Sequence, residues 1–192
     1  AFVEPVGAID DECHERVETL YAPNRRTPLH PEVLSEAAAS LLPDQTRPAL
    51  VWQIHLDADG APTDASVARA RVRSRRRYSY EQVQAAVDAG TGGELLDLLK
   101  VVGQLREQAE IARGGVSLGV PEQEVRVADG TWTLEYRTNL PCEGWNAQLS
   151  LLTGMVAARM MLEAGVGIVR TLPPAEDHAI NRLRRTAQAL GI

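Results

Sequence analysis

Apolar positions along the chain recur at helical spacing, then at strand spacing, then at helical spacing again. In "DDECHERVETL", Cys13, Val17 and Leu20 fall on one face, which predicts a helix over 10–20 with Asp10 as its N-cap and Pro23 beyond its end. "EVLSEAAASLL" predicts a short helix over 32–42, stopped by Pro43. "LVWQIHL" alternates, so Leu50, Trp52, Ile54 and Leu56 share one face of a strand over 50–56, and "DADG" at 57–60 is the turn that follows. A second strand, 65–75, sets Ala68, Ala70, Val72 and Ser74 on one face and Arg69, Arg71, Arg73 and Arg75 on the other. Helices are predicted over 80–88 and 94–112, the latter with Leu95, Leu98, Leu99, Val102 and Leu105 at helical spacing. "EVRVADGTWTLEY" reads as a hairpin turning at Asp129-Gly130, which pairs Val127 with Trp132 and Val125 with Leu134. Residues 146–164 are apolar nearly all round, the mark of a central helix. "IVRTL", 168–172, predicts a short strand, and Ile180, Leu183, Ala187 and Leu190 line the inner face of a last helix. These elements predict one mixed α/β (α+β) unit, an antiparallel-rich sheet with packed helices.

Composition narrows the class. Hydrophobic residues make up 44% of the 192 positions and aromatics only 4%, so the core is built from Ala, Val and Leu. No run of 18 apolar residues predicts a membrane span, and the acidic first positions do not read as a signal peptide. Two cysteines, Cys13 and Cys142, are too few for a disulfide framework or a zinc site, which fits a reducing cytoplasm. A net charge of −6 argues against a general nucleic-acid binder. Locally the balance reverses: from Ala65 to Tyr80 there are six arginines and no acid.

Several stretches suggest chemistry. Asp10, Asp11 and Glu12 stand in a row, but neighbours on a helix point about 100° apart and cannot converge on one ion; acids in a first turn favour the positive end of the helix dipole instead. "DADG" opens like a calcium loop, yet Ala61 and Ala68 stand where that loop needs ligands, so it reads as a turn. His14, His30, His55 and His178 have no partner at metal or triad spacing, and Ser35, Ser40, Ser117 and Ser150 lack the setting of a nucleophile. The alternating arginines have two readings, a solvated strand edge that resists aggregation or a track for a nucleic-acid backbone.

The order of the segments resembles the catalytic RNB domain of the ribonuclease II/R family. "FVEPVGAIDDECHERVETLYAP", "TPLHPEVLSEAAASL", "RVRSRRRYSYEQV", "RGGVSLGVPE" and "IVRTLPPAED…LRRTAQALGI" are each similar to a family segment and occur in the family's order, from residue 2 to the end. The likeness is to a short, Arg- and Ala-rich actinobacterial branch. It implies a partial RNB-like catalytic domain over 1–192, part of a 3′→5′ exoribonuclease that hydrolyses single-stranded RNA with Mg²⁺. In the family the aspartates that hold the metal precede the stretch matching Ala1, and a catalytic arginine segment follows the stretch matching Ile192. The resemblance therefore assigns neither a catalytic residue nor a metal ligand to these residues; Asp10 matches a later Leu-Asp pair.

What the resemblance does imply here is substrate handling, with this segment forming wall of an RNA channel. Tyr21 matches a tyrosine that stacks near the RNA 3′ end, and Leu118 takes the place of a second stacking ring, where leucine offers no π-face. A Glu-Glu pair at the start of the central helix is replaced by Ala147 and Gln148, preceded by Asn146; amides can still hydrogen-bond a ribose 2′-OH. Arg71 and Arg73 are the expected backbone contacts. Single-stranded RNA is the expected partner, without a membrane; the sequence leaves the oligomeric state open, with a monomer as the expectation. A catalytically inactive RNA-binding module derived from the same fold is the alternative, and a protein-interaction domain without an RNA role is the third reading, suited to the acidic balance.

Overall fold

The computed structural model describes residues 3–23, 25–117, 119–171 and 173–191. The chain divides into two compact units, Ala1–Gly154 and Met155–Ile192. In the first unit, α1 (Ala8–Arg16) leads into a small antiparallel hairpin of β1 (Leu20–Ala22) and β2 (Arg25–Thr27), followed by a π-helical turn over Val33–Ala38. A long antiparallel hairpin comes next, β3 (Thr46–Leu56) and β4 (Pro62–Arg73), then α2 (Tyr80–Asp88) and α3 (Gly93–Ala112). A third hairpin, β5 (Glu122–Ala128) and β6 (Thr131–Arg137), precedes α4 (Pro141–Ala164), whose first half belongs to this unit. The second unit holds the rest of α4 and α5 (Asp177–Ala189).

Mixed helices and antiparallel strands are what the pattern predicts, with the strands among the described residues in three separate two-stranded sheets. The fold departs from the pattern at particular residues. α1 stops at Arg16, because Val17 takes a left-handed backbone (φ 66°) and closes the helix with its amide on the Cys13 carbonyl; Leu20 is strand, not helix. β3 begins four residues before the alternating run, since Thr46 to Ala49 pair with Arg73 to Ala70 whatever their hydropathy. α4 begins at Pro141 rather than 146: proline suits a first helical turn, where its missing N–H would be unpaired anyway. Residues 168–171 form no strand; among the described residues they find no partner strand. Leu183 on α5 and Leu190 just past its end are exposed rather than packed inward.

Local chemistry explains the elements that hold. Ser79 and Gln82 form a capping box at the start of α2: Ser79 Oγ accepts from the Gln82 amide at 3.2 Å, and the Gln82 side chain accepts from the Ser79 amide at 3.1 Å. Asp57 Oδ1 accepts from the amides of Asp59 and Ala61, making 57–60 a side-chain-closed turn. Asp129 and Gly130 both have positive φ, as a type I′ turn requires, and Val127 faces Trp132 while Val125 faces Leu134. The core of the first unit gathers Val83 and Val87 of α2, Leu96 of α3, and Cys142 and Trp145 of α4. Gly103 admits Trp145: a Cβ there would meet Trp145 Cβ at 2.3 Å. Buried Arg106 donates to the Gly60 carbonyl at 3.1 Å and so ties α3 to the turn of the long hairpin.

Candidate functional site

The acids that open the chain are occupied in ordinary helix chemistry. Asp10 and Asp11 sit in the first turn of α1, Asp10 Oδ2 accepts from the Val6 amide at 2.9 Å, and Glu12 pairs with Arg16 one turn on. Among the described residues no three His, Cys, Asp or Glu side chains come together in a way that could hold a metal ion.

Two surfaces carry usable chemistry. The first runs from the small hairpin to the end of the long one. Tyr21 lies opposite Arg26 across β1 and β2, and its ring is 78% exposed. Arg26, paired with Glu36, lines a cleft of about 560 Å³ together with Ser40, Pro43 and Arg77. Pro43 bridges to Ser74, the residue after β4, which joins this cleft to the arginine strand. There the register sets Arg69, Arg71 and Arg73 on one face opposite Leu50, Pro48 and Thr46, and all three arginines are exposed. Asp44 stands 3.6 Å from Arg73; Arg69 and Arg71 have no carboxylate partner among the described residues. Arg76 lies over the Tyr78 ring, 4.4 Å from its centroid. Tyr21 lines none of the clefts described here; it stands beside the basic one, through Arg26.

The second surface is a pocket of about 340 Å³ between α3, the following loop and α4. Glu107, Glu110, Ser117, Gly144, Ala147 and Gln148 line it. Gln148 is buried and donates its Nε2 to Glu110, which also accepts from Ser117 Oγ at 3.0 Å. Those two hydrogen bonds, Gln148's first, hold the Glu110 carboxyl below the usual glutamate range. Asn146 does not join this pocket. Its Nδ2 donates to the Tyr80 hydroxyl at 3.1 Å, because two residues along a helix turn a side chain by about 200°.

The RNB domain family matches residues 1–191 of the chain. The chain belongs to that family. An uncharacterized ribonuclease of Synechocystis is 28% identical over 86% of the chain, and ribonuclease R of Chlamydia trachomatis is 23% identical over 99% of it. The RNase R of Mycoplasma genitalium in complex with double-stranded RNA has the same fold, with a TM-score of 0.90 over 100% of the chain at 22% identity. The chain spans 25% and 28% of the length of those two sequence relatives, and 36% of the RNase R chain.

Within this RNB segment the residues singled out from sequence are divided by the fold. Tyr21, Arg71 and Arg73 lie along the basic surface, Gln148 lines the acceptor pocket, Asn146 lies apart with Tyr80, and Leu118 lies outside the described residues. Sequence reasoning passed over Arg26, Glu107 and Glu110, weighed Ser40 only as a nucleophile and counted Arg77 only within the arginine run; Arg26, Ser40 and Arg77 approach only through the fold. The two glutamates carry a faint signal, acids three apart on one helix face. It was hidden because they sit among the polar positions of a helix read for its leucines.

Proposed function

We propose that this segment handles single-stranded RNA as part of a 3′→5′ exoribonuclease, forming part of the wall along which the strand runs. Mg²⁺, held by residues outside these 192, would supply charge neutralisation at the reacting phosphate. The chain's own residues bind and orient. The observation that carries the reading is the pairing of cations with an exposed ring: Arg69 and Arg71, without carboxylate partners among the described residues, joined through the cleft of Arg26 and Arg77 to exposed Tyr21. Guanidinium groups match phosphate with a planar fork, and an exposed ring offers a base a stacking face without regard to sequence. A ribonuclease lineage supports the same reading.

A catalytically inactive RNA-binding module is favoured by one observation, the loss of carboxylates at Ala147 and Gln148 where the family resemblance places a Glu pair. Both readings require RNA binding, which is tested by titrating labelled poly(A) with the 192-residue chain over a range of salt. The expected result is an affinity that falls linearly on a log–log plot, with Arg69 and Arg71 changed together to Ala lowering the slope by about 1 to 1.5, near 0.7 per phosphate contact on a single strand. An unchanged slope removes the arginine strand from the interface. No RNA binding at any salt favours a protein-interaction role.

A further inference from the structure

The basic cleft beside Tyr21 contains a cation that is already answered. Arg26 and Arg77 both line it, with Ser35, Glu36 and Ser40. Glu36 is the one acid among its described lining residues, and it pairs with Arg26. Arg77 has no carboxylate partner among the described residues. The hydroxyls are used locally: Ser40 Oγ donates to the Ser35 carbonyl at 2.7 Å, and Ser35 Oγ donates to the Pro31 carbonyl at 3.4 Å. The two guanidinium groups are therefore the side-chain donors that the cleft offers, and the ligand they suit is an anion.

The π-helical turn places Glu36. The Ala39 amide donates to the Leu34 carbonyl at 2.9 Å, five residues back, and Ser40 Oγ closes the same turn on Ser35, so Glu36 stands on a pinned segment. Its bond to Arg26 is weak by comparison. The two side chains are 47% and 50% exposed, and an ion pair so open to water is worth at most about a factor of five in an equilibrium. A phosphate can displace it, because a guanidinium takes two phosphate oxygens through two parallel hydrogen bonds. Tyr21 brings one within reach. It faces Arg26 across β1 and β2, and opposed residues of an antiparallel pair have Cβ atoms about 5 Å apart. A base stacked on the exposed Tyr21 ring carries its own backbone phosphate past Arg26.

We infer that the cleft of Arg26 and Arg77 seats a backbone phosphate of the strand, and that Glu36 is its built-in counter-ion, a brake that the phosphate displaces from Arg26. The proposal rests on the single-stranded RNA reading and adds that the free protein holds one of its own cations in check.

The test is a double-mutant cycle of Glu36→Gln and Arg26→Ala, read by fluorescence anisotropy with one labelled adenosine oligomer made as RNA and as DNA. At low salt Glu36→Gln is expected to bind RNA about two- to fivefold more tightly than the wild type. Its affinity is expected to fall more steeply with salt, because no released carboxylate takes up a cation when the phosphate arrives. The gain is expected to vanish in the Arg26→Ala background and to be the same factor for the DNA oligomer, since both strands carry the phosphate. Glu36→Ala, measured beside it, is expected to give the same gain with an unchanged urea midpoint. Unchanged or weaker binding by both Glu36 variants overturns the inference. So does a gain that persists without Arg26, which makes Glu36 a distant repulsive charge. A gain confined to RNA puts the contact on the sugar and overturns it as well. Arg77→Ala is expected to weaken binding in both Glu36 backgrounds, and wild-type affinity in that variant overturns the two-arginine seat. Failure of the wild type to bind any oligomer removes the RNA reading and this inference with it, whereas binding through Arg69 and Arg71 with no effect of Glu36 removes this inference alone.

Discussion

Gly103 and Tyr21 mark two opposite uses of a single residue. At Gly103 the absence of a side chain is structural, because any Cβ would collide with Trp145 and push α3 from α4. At Tyr21 a large apolar ring is left 78% exposed on a three-residue strand, where it adds nothing to a core. The ring is therefore expected to serve a ligand. Tyr21→Ala should weaken single-stranded RNA binding by about 1–3 kcal/mol, the usual worth of one base–aromatic stack. Its unfolding midpoint in urea should hardly move, since an exposed substitution of this kind changes stability by about 0.5 kcal/mol or less. Tyr21→Phe, which keeps the ring, should bind as the wild type does. A loss of folding stability as large as the loss of affinity would instead make Tyr21 a packing residue.

At the scale of elements, the β5–β6 hairpin shows how a two-stranded ribbon is held. Its apolar face, with Val125, Val127, Trp132, Leu134 and Tyr136, is exposed, so burial does not anchor it. The charged face does. Arg126 pairs with Glu135, and Arg137 at the end of β6 reaches Glu122 and Glu124 on β5 and donates to Glu143 on α4 at 2.7 Å. The Arg137 hydrogen bonds, aided by the Leu140 amide, hold the Glu143 carboxyl below the usual glutamate range against the cost of its partial burial. A depressed carboxyl stabilises the folded state fully above the unfolded glutamate value of about 4.3, and that contribution is lost as pH falls through the lower folded value. Glu143→Gln is expected to be less stable than the wild type at pH 7 and to approach it on acidification below pH of about 4. Thermal melts at pH 7, 4 and 3 check this; a gap that stays constant over that range excludes the ion pair as the anchor.

For the molecule as a whole, the distribution of apolar surface separates positions that look alike in sequence. Leu95 and Leu96 are neighbours on α3, yet Leu96 is 5% exposed and packs with Val83, Val87 and Trp145, while Leu95 is 70% exposed. Leu95 and Leu98 border a groove of about 570 Å³ lined also by Trp52, Ile54 and Tyr78. Leu96→Ala should cost about 2–5 kcal/mol, as core truncations do, whereas Leu95→Ala should cost a small fraction of that. Urea unfolding of the two variants checks the difference, and equal losses would place Leu95 in a core. Among the described residues no helix is long and apolar enough to cross a membrane.

Sequence by itself determined what is local. The capping box at Ser79, the type I′ turn at Asp129-Gly130 and the face-sharing of Arg69, Arg71 and Arg73 each follow from bonds or alternation within a few residues. The order of segments carried the family, because a chain of weak likenesses in a fixed order is itself a pattern. The absence of a strand at 168–171 was not legible, since it depends on whether a partner strand lies close enough to pair, and the left-handed turn at Val17 and the start of α4 at Pro141 are local choices that the apolar pattern does not mark. Tertiary structure alone decided which of these residues meet: it set Tyr21 beside Arg26 and the Arg77 cleft, sent Asn146 to Tyr80, and turned Gln148 toward Glu110. Hydrogen bonds and charges act over a few ångströms, and only the fold brings residues tens of positions apart within that reach.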